Sequence, residues 1–333
     1  MNGFIPARRI SLHAAALAAI LCVGAGAPAS ALADPNFPDR PIRLIVPYPP
    51  GGSTDPAARL LAADVGPRLG QPMVVENRAG AAGGIGTEAV ARATPDGYTL
   101  LFHTSVISTD PTLKKNAPYD VRRDLMPVTL AVRGPYLVVV NPALPVTSVA
   151  ELIAYAKANP GKLNFGSAGR ASSGHLIGEL FKKAAGLDMV HIPYKGGGPS
   201  IVGLVANEVQ LVFDTFGGSK ALAESGRLRA IAVTGTARSA LMPAVPTVSE
   251  SGLKDFSAVY WLGLFAPAKT PAPVIEKIHA AFKQALDSPA VRARLQEQGN
   301  EPVALAPAEF ARVLDEDIAR YRAIIESARI SVD

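Results

Sequence analysis

Two stretches rich in glycine and small hydroxyl residues carry the groups best suited to binding chemistry. They are residues 48–55, with the sequence YPPGGSTD, and residues 166–175, with the sequence GSAGRASSGH. Each follows a predicted buried strand and leads into a predicted helix, so its N–H groups and hydroxyls lie at the positive end of a helix dipole. Such a position is a receptor for a carboxylate or a phosphate. For either loop alone, the alternative is a tight turn followed by a helix cap at Ser53 or Thr54.

Motifs for other chemistry are missing from the sequence. It contains neither the Gly-x-x-x-x-Gly-Lys-Ser/Thr loop of nucleotide hydrolases nor a Gly-x-Ser-x-Gly elbow. It also lacks His-Glu-x-x-His and calcium-loop spacings, so we expect no metal site, no cofactor and no catalytic residues. Residues 84–89 (GIGTEA) fit the loose spacing of a dinucleotide site but do not directly follow a strand, and we interpret them as a place of close helix packing.

Several other polar residues have two interpretations each. His103, Thr104 and Ser105 end a predicted strand, where they either line a ligand site or form a plain loop. His175 lies just inside a predicted helix, which favours a structural hydrogen bond. The acidic run at residues 315–317 is most simply a solvated helix face.

The N-terminus has the pattern of an export signal. Arg8 and Arg9 precede the apolar run 14–23, and small residues follow. This order predicts a cleaved signal peptide over residues 1–33, with the cut between Ala33 and Asp34 and a periplasmic mature protein. The general secretory route is expected, although residues 7–12 also resemble a twin-arginine signal. The apolar run is short for a membrane span.

Composition excludes several classes of partner and site. The chain has 333 residues with 33 Lys and Arg against 28 Asp and Glu, and loss of the signal leaves 31 basic residues. So weak an imbalance argues against nucleic acid as a partner. Cys22 is the only cysteine and lies in the signal. The mature chain therefore has neither a disulfide nor a thiolate metal site.

Short apolar runs alternate with helical stretches along the whole mature chain. We predict strands at residues 43–48, 73–76, 99–102, 136–141, 163–166, 189–193, 209–213 and 228–234. We predict helices at residues 56–69, 85–92, 149–158, 174–185, 199–206, 274–286 and 310–328. This alternation predicts an α/β fold with parallel, doubly wound sheets.

Two extended segments do not fit a simple strand–helix unit. They lie near residues 125–140 and 256–266, and apolar residues run through both. A chain that passes twice between two lobes has this pattern, and about 300 residues are enough for two cores. We therefore predict that residues 34–126 and 261–333 form the first lobe and residues 127–260 the second, with hinges at the two crossings.

Ordered motifs along the mature chain match a known family. The chain resembles the solute-binding proteins of tripartite tricarboxylate transporters, the Bug receptors. The matching positions are residues 40–52, 55, 59, 74–78, 95–101, 148–152, 193–196, 232–234, 245–247 and 263–264. The resemblance implies a two-lobed periplasmic binding protein, a type II-like "Venus flytrap" in which each lobe is a doubly wound sheet flanked by helices. It also implies a monomer that closes on a small carboxylate and delivers it to an inner-membrane transporter.

The resemblance further implies which residues contact the ligand. In the first lobe these are Tyr48, Pro50, Gly51, Gly52, Ser53 and Thr54, with Asp55 fixing the loop. In the second lobe they are Ser167, Ala168, Gly169, Ala171, Ser172, Tyr194 and Asp214, the last as an acceptor for a ligand amine or hydroxyl.

The sequence departs from the family pattern at three places. Glycine is usual where Ala171 stands, and a small or apolar residue is usual at Arg170. The family tends to have Gly-Thr-Asn-like residues in place of 103–105, where His103 offers a ring for stacking or hydrogen bonding. The Arg170 guanidinium either pairs with a second ligand carboxylate or points to solvent.

Three functions follow in order of preference. The first is a receptor for a dicarboxylate, tricarboxylate, aromatic carboxylate or acidic amino acid that feeds transporter membrane subunits. The second keeps the binding but signals to a membrane sensor kinase. The third is an exported enzyme, for which only His103 with Ser105 or Asp214 supplies candidate groups.

Overall fold

The computed structural model of the protein describes residues 1, 3, 36–51, 54–114 and 116–331. Apart from residues 1 and 3, the predicted signal peptide lies outside the described residues, and so do its cleavage site and Cys22. The predicted ligand contacts Gly52 and Ser53 lie outside them as well. No helix within the described ranges is long and apolar enough to cross a membrane.

Eleven strands and eleven α-helices are formed by these described residues. The strands are β1 (Ile42–Val46), β2 (Met73–Asn77), β3 (Thr99–Thr104), β4 (Leu125–Pro135), β5 (Leu137–Val140), β6 (Asn164–Ser167), β7 (Val190–Pro193), β8 (Leu211–Asp214), β9 (Arg229–Val233), β10 (Val259–Pro267) and β11 (Glu301–Leu305). The helices are α1 (Thr54–Leu69), α2 (Gly84–Ala91), α3 (Asp110–Leu113), α4 (Val121–Asp124), α5 (Val149–Ala158), α6 (Ser173–Ala185), α7 (Gly197–Val205), α8 (Phe216–Glu224), α9 (Ala272–Asp287), α10 (Pro289–Glu297) and α11 (Pro307–Ser327). Short 3₁₀ helices occupy Ala81–Gly83 and Ser105–Thr109.

The first sheet has six strands in the order β11-β4-β10-β3-β1-β2. Strands β1, β2 and β3 are parallel, with helices between them. Leu44 and Phe102 belong to one apolar cluster, whereas Ile45 and Leu101 belong to another, so successive residues of a strand bury against opposite layers. The sheet is therefore covered by helices on both faces, as a doubly wound sheet must be.

The second sheet has five strands in the order β7-β6-β8-β5-β9. Strands β6, β7 and β8 are parallel and each is followed by a helix. Val138 packs in one apolar cluster and its neighbours Leu137 and Val139 in another. This sheet is doubly wound as well.

The chain passes between the two sheets twice, and the two passages lie side by side. Strands β4 and β10 pair antiparallel along their length, and Val259 lies opposite Pro135 at their common end. The next residue, Tyr136, accepts a backbone hydrogen bond from Thr234, whose carbonyl accepts one from Ala258. The lobe boundary predicted at residue 126 falls inside β4, which belongs to the first sheet as far as Pro135.

The predicted sheets differ from the observed ones in direction. Both sheets are mixed, because β10 runs antiparallel to β3 and β4, and β5 runs antiparallel to β8 and β9. Consecutive strands joined by a crossover helix have to be parallel, but a strand that arrives from the other sheet is free of that constraint. The alternation of strands and helices in the sequence does not encode the difference.

The acidic run 315–317 is not wholly a solvated face. Asp317 is buried, and its carboxylate accepts a hydrogen bond of 2.7 Å from the indole N–H of Trp261. Asp315 is exposed and pairs with Arg122, as expected for the outer face of α11.

Candidate ligand site

Three helix N-termini converge at one edge of the second sheet. Helices α6, α7 and α8 follow the parallel strands β6, β7 and β8, and none of the three receives a side-chain cap from the described residues. Their N-cap residues are Ser172, Gly196 and Thr215. Because the first N–H groups of a helix have no partner within it, this edge presents several free donors and three positive dipole ends.

The first two of these loops are tied to each other through the backbone. The N–H of Tyr194 donates to the carbonyl of Ser167 at 3.0 Å, and the N–H of Gly196 donates to that of Ala168 at 3.1 Å. At the start of α6, the Ser172 hydroxyl is buried and has no hydrogen-bond partner among the described residues. A buried hydroxyl without a partner at an uncapped N-terminus is suited to a bound anion.

The glycine-rich loop that precedes α6, residues 167–172, contains an unusual alanine. Ala171 has a φ of 58°, in the left-handed region, and its N–H donates to Nδ1 of His175 at 2.9 Å. Glycine adopts this conformation without strain, whereas the side chain of alanine makes it costly. The hydrogen bond also confirms the structural role predicted for His175.

A second histidine packs against His175. The ring of His191 stacks on it with a centroid distance of 3.6 Å and an interplanar angle of 8°. Burial lowers the pKa of His175 to about 3, and the charges of His191, Arg170 and Lys182 act in the same direction. Burial, Arg170 and Lys182 likewise lower the pKa of His191 to about 4. Both rings are therefore neutral at pH 7.

Arg170 and Tyr194 differ in how their side chains are engaged. Arg170 is exposed and makes no hydrogen bond or ion pair with another described residue, so its guanidinium is available to a ligand or to solvent. The Tyr194 hydroxyl donates to Glu208 at 3.0 Å, and the ring packs against Gly203 within α7. In this conformation the phenol is directed along α7 and away from the loop, and only the backbone of Tyr194 contacts it.

Asp214 ends β8 and is engaged by the helix that follows. Its carboxylate accepts hydrogen bonds from the Ser219 hydroxyl, at 2.5 Å, and from the Thr215 N–H. Burial raises its pKa to about 6, against the effect of these two bonds. The group therefore changes charge close to neutral pH, beside an edge that otherwise favours anions.

Loop 48–55 in the first sheet is fixed by a carboxylate, as predicted for Asp55. This buried group accepts hydrogen bonds from the Gly51 N–H at 3.1 Å, from Arg59 at 3.0 Å and from the Asn77 amide at 2.9 Å. The amide of Asn77 also reaches the carbonyl of Tyr48 at 3.1 Å. Although burial opposes it, these hydrogen bonds lower the pKa of Asp55. Arg59 and Asn77 are supporting residues to which the sequence had assigned no role in the site.

Other members of this loop differ in how far they are accessible. Pro50 and Gly51 are exposed, whereas Thr54 is buried at the first turn of α1. Gly51 has a φ of 78°, which a side chain at that position would strain.

At the end of β3, two of the three polar residues are buried. His103 and Ser105 are completely buried. Nδ1 of His103 lies 2.9 Å from the carbonyl of Thr104, and Nε2 has no hydrogen-bond partner within the described chain. Burial lowers the pKa of His103 to about 3. Tyr48 and Thr104 are both half-buried, and their hydroxyls lie 2.9 Å apart.

Tyrosines at the crossing lie near residues that belong to both lobes. The rings of Tyr136 and Tyr260 pack edge to face with centroids 5.2 Å apart. Burial raises the pKa of Tyr136. Ser173 at the start of α6 and Asp214 at the end of β8 also affect this pKa, so both residues lie near the phenol. In turn Tyr321 on α11 is close to both Tyr136 and Ser105. Sequence reasoning missed these tyrosines, although Tyr260 stands in the extended apolar segment that it singled out.

The arrangement suits binding better than catalysis. A Ser–His contact exists between Ser167 and His191, at 2.7 Å from Oγ to Nε2, but Ser167 is buried and its hydroxyl also contacts the carbonyl of Gly169. Across the described ranges there is no group of three or more His, Cys, Asp or Glu side chains placed to hold a metal ion. What the site offers is a set of backbone donors with a few hydroxyls.

Comparison with solved structures gives the same fold and indicates ligands in related proteins. A protein of Rhodopseudomonas palustris, Rpa4515, solved with adipate, is 35% identical; the match covers 89% of this chain and 99% of that one, with a TM-score of 0.80. MatC from the same organism, solved with bound malate, is 32% identical over 87% of this chain and 100% of that one, with a TM-score of 0.75. The overall architecture is thus that of a two-lobed periplasmic binding protein.

The sequence comparisons agree with the structural ones. Protein BugT of Bordetella pertussis is 39% identical over 308 residues, which are 92% of this chain and 94% of BugT. A family model described as "Tripartite tricarboxylate transporter family receptor" matches residues 57–330, a range that includes most of both sheets. The chain therefore belongs to the tripartite tricarboxylate transporter receptor family, the solute-binding family in which the Bug proteins are found.

Proposed function

We propose that this protein is an exported receptor that binds a small organic acid between its two lobes and delivers it to a tripartite tricarboxylate-type transporter. The observation that carries the proposal is the convergence of three uncapped helix N-termini at the edge of the second sheet. Three dipole ends with free N–H groups favour a carboxylate over a neutral or cationic ligand.

The ligand would lie between the backbone donors of loop 167–172 and the exposed residues Pro50 and Gly51 of the first sheet. The hydroxyls of Ser172 and Thr104 and the exposed Arg170 are the side chains best placed to add to them. The related proteins solved with adipate and malate support a dicarboxylate as the ligand class. Because backbone donors recognise the carboxylate itself, Arg170 is the candidate for holding a second one.

Closure would turn about the place where the chain crosses between the sheets. Tyr136, Thr234 and Ala258 meet there, and the paired strands β4 and β10 end beside them. On this basis the lobes of the proposed receptor divide near residues 136 and 258. The proposal includes removal of residues 1–33 as a signal peptide and a mature chain that acts as a monomer in the periplasm.

Calorimetry on the mature protein tests the proposal directly. Adipate, malate, citrate, benzoate and glutamate would be titrated at pH 7, with spermidine and glucose as ligands that the site should reject. We expect at least one carboxylate to bind with micromolar affinity or better, which corresponds to about −8 kcal/mol. If none binds, the proposal is wrong.

A matched pair of variants locates the site. The hydroxyls of Ser172 and Ser200 are both buried without a partner among the residues described. Ser172→Ala should therefore leave the fold intact and weaken carboxylate binding about tenfold, the value of a hydrogen bond to a charged group. Ser200 lies inside α7, so Ser200→Ala should change neither the fold nor the affinity for carboxylates. Equal affinities for the two variants would place the ligand elsewhere.

Delivery and signalling give different results in a deletion strain. We propose delivery because the family description names a transporter. Loss of uptake of the bound acid, with the transcriptional response intact, is the expected phenotype. The reverse result would identify a sensor that acts through a membrane kinase. Recovery of the bound acid chemically unchanged after prolonged incubation separates both from an enzyme.

A further inference from the structure

Beneath the loop 167–172 lies a pair of stacked histidines that contact the loop at both ends. At the start of the loop, Nε2 of His191 is 2.7 Å from the hydroxyl of Ser167. Near its end, Nδ1 of His175 accepts the N–H of Ala171. The two rings are parallel to within 8° and are flanked by Phe165, whose ring centroid is 4.9 Å from that of His191. The pair is thus a rigid platform on which the loop rests.

The conformation of Ala171 needs such support. A left-handed backbone costs a non-glycine residue roughly 1–2 kcal/mol, and Ala171 has a φ of 58°. Its N–H points into the protein, where His175 supplies the acceptor. Without that acceptor the N–H would be buried and unpaired, and the chain would relax toward a right-handed conformation. Such a change would alter the path of the loop into the N-terminus of α6.

We propose that His175 is a positioning residue for the ligand site: its Nδ1 holds Ala171 in the left-handed conformation that keeps loop 167–172 shaped for a carboxylate, and His191 holds the ring of His175 in place. This inference rests on the proposed function, because it concerns the same anion site. His175 itself is buried, so it acts through the loop and not by contact with the ligand.

The charges around the ring keep Nδ1 free to accept. Arg170 on the loop and Lys182 on α6 are cationic, and His191 on β7 is neutral at pH 7. Of the acidic side chains that the structure describes, Glu179 on α6 is the one near the ring; its carboxylate lies 3.9 Å from Nε2 of His175 and is itself paired with Lys182 at 3.0 Å. Because the Ala171 N–H donates to Nδ1, Nδ1 carries the lone pair and the proton of the neutral ring lies on Nε2.

Two substitutions of the same residue separate positioning from general stability. In His175→Asn the amide oxygen lies close to the position of Nδ1 and can still accept from Ala171, whereas His175→Ala removes the acceptor. We expect adipate, or whichever carboxylate the wild type binds best, to bind His175→Ala about tenfold or more weakly at pH 7. His175→Asn should restore affinity to within about threefold of the wild type. Urea unfolding of each variant gives the accompanying stability.

The pH profile and the ring tautomer complete the test. As pH falls toward 3, the wild type should lose affinity faster than His175→Asn, because only the wild type has a titrating ring at position 175. Protonation of His191 and of the ligand is common to both proteins and cancels in the comparison. Nitrogen-15 NMR of the free protein should show His175 protonated at Nε2 and not at Nδ1. A proton on Nδ1, equal binding by wild type and His175→Ala, or no rescue by asparagine overturns the inference. If the wild type binds no carboxylate, the proposed function is wrong instead. The NMR measurement uses the free protein, so it tests the hydrogen bond of His175 independently of the ligand.

Discussion

The indole N–H of Trp261 and the carboxylate of Asp317 form a buried hydrogen bond of 2.7 Å between β10 and α11. Arg320 pairs with the same carboxylate at 2.8 Å. Burial raises the pKa of Asp317, and the contacts with Arg320 and Trp261 oppose that rise. This contact fixes the C-terminal helix to the strand that returns from the second sheet.

Removal of this acceptor should destabilise the first lobe. Asp317→Ala leaves the indole N–H and Arg320 without their partner, and we expect it to lower the free energy of unfolding by about 2–4 kcal/mol. Asp317→Asn keeps an acceptor and should lose less than half as much. Asp315→Asn on the exposed face of the same helix is the control and should stay within about 0.5 kcal/mol of the wild type. Urea unfolding followed by the fluorescence of Trp261, the only tryptophan, measures the stability of all three variants. Equal losses for Asp317→Ala and Asp315→Asn would contradict the buried hydrogen bond.

Ala171→Gly should stabilise the protein. Ala171 has a φ of 58°, and glycine adopts this conformation without side-chain strain. The unfolded chain gains freedom with glycine, so we expect a net increase in the free energy of unfolding of about 1 kcal/mol. Ala168→Gly, in the same loop but without a positive φ, should be neutral or slightly destabilising. Thermal unfolding of both variants checks the difference. A lower melting temperature for Ala171→Gly would show that the alanine is not strained.

Loss of the Asp55 carboxylate should affect both stability and binding. Asp55→Ala leaves the Gly51 N–H, Arg59 and Asn77 without a common acceptor, so we expect a loss of about 2 kcal/mol and affinity for carboxylates weakened about tenfold. Asp64→Ala, whose partner Arg68 is on the outer side of the same helix, is the matched control and should bind normally.

The effect of Asp55 on stability also has a predicted pH dependence. Its pKa is lowered in the folded state, so its contribution is present above the unfolded value of about 4 and disappears as pH falls through the folded value. Stability of wild type and Asp55→Ala should therefore converge below pH 4. A constant difference down to pH 2 would mean that the carboxylate charge contributes nothing.

Asp214 should make carboxylate binding depend on pH near 6. Above its pKa of about 6 the group is anionic and competes with the ligand for the same dipole ends, so affinity should fall about three- to tenfold between pH 5 and pH 7. Calorimetry with adipate on Asp214→Asn should give a flatter profile. Identical profiles for the two proteins would show that Asp214 stays in one protonation state or lies too far from the ligand.

For folding, the raised pKa of Asp214 acts in the opposite direction to the lowered pKa of Asp55. Because the folded pKa of Asp214 is raised above the unfolded value of about 4, the folded state binds more protons between these values, and this contribution to stability is lost as pH rises through 6. Relative to the wild type, Asp214→Asn should therefore be more stable at pH 8 than at pH 5.

Local patterns were enough to predict most elements and the two loops of the site. Helix α5 begins and ends at Val149 and Ala158 as predicted, because Ser148 caps it and its apolar positions recur with helical spacing. Glycine and hydroxyl residues after β1 and β6 marked loops 48–55 and 167–172 for the same reason. Strand direction was not predictable, since antiparallel β10 joins the first sheet through pairing with β4, more than 120 positions away in sequence.

The supporting contacts of the site were also beyond sequence reasoning. Asp317 and Asp315 differ by two positions on one helix, yet one faces Trp261 and the other faces solvent. Similarly, nothing in the residues around His175 and His191 indicates that their rings stack, because the contact depends on β7 lying beside β6. Both cases depend on which face of an element meets its neighbour.

The crossing of the chain has a consequence for the order of folding. All strands of the second sheet lie within residues 137–233, whereas the first sheet needs β10 and β11 from beyond residue 258 as well as β1 to β4. A chain that emerges N-terminus first can therefore complete the second sheet before β10, an inner strand of the first sheet, is available. Until β10 is available, β3 and β4 have unpaired edges, so the segment from β1 to β4 is the part most in need of protection from aggregation before folding is complete.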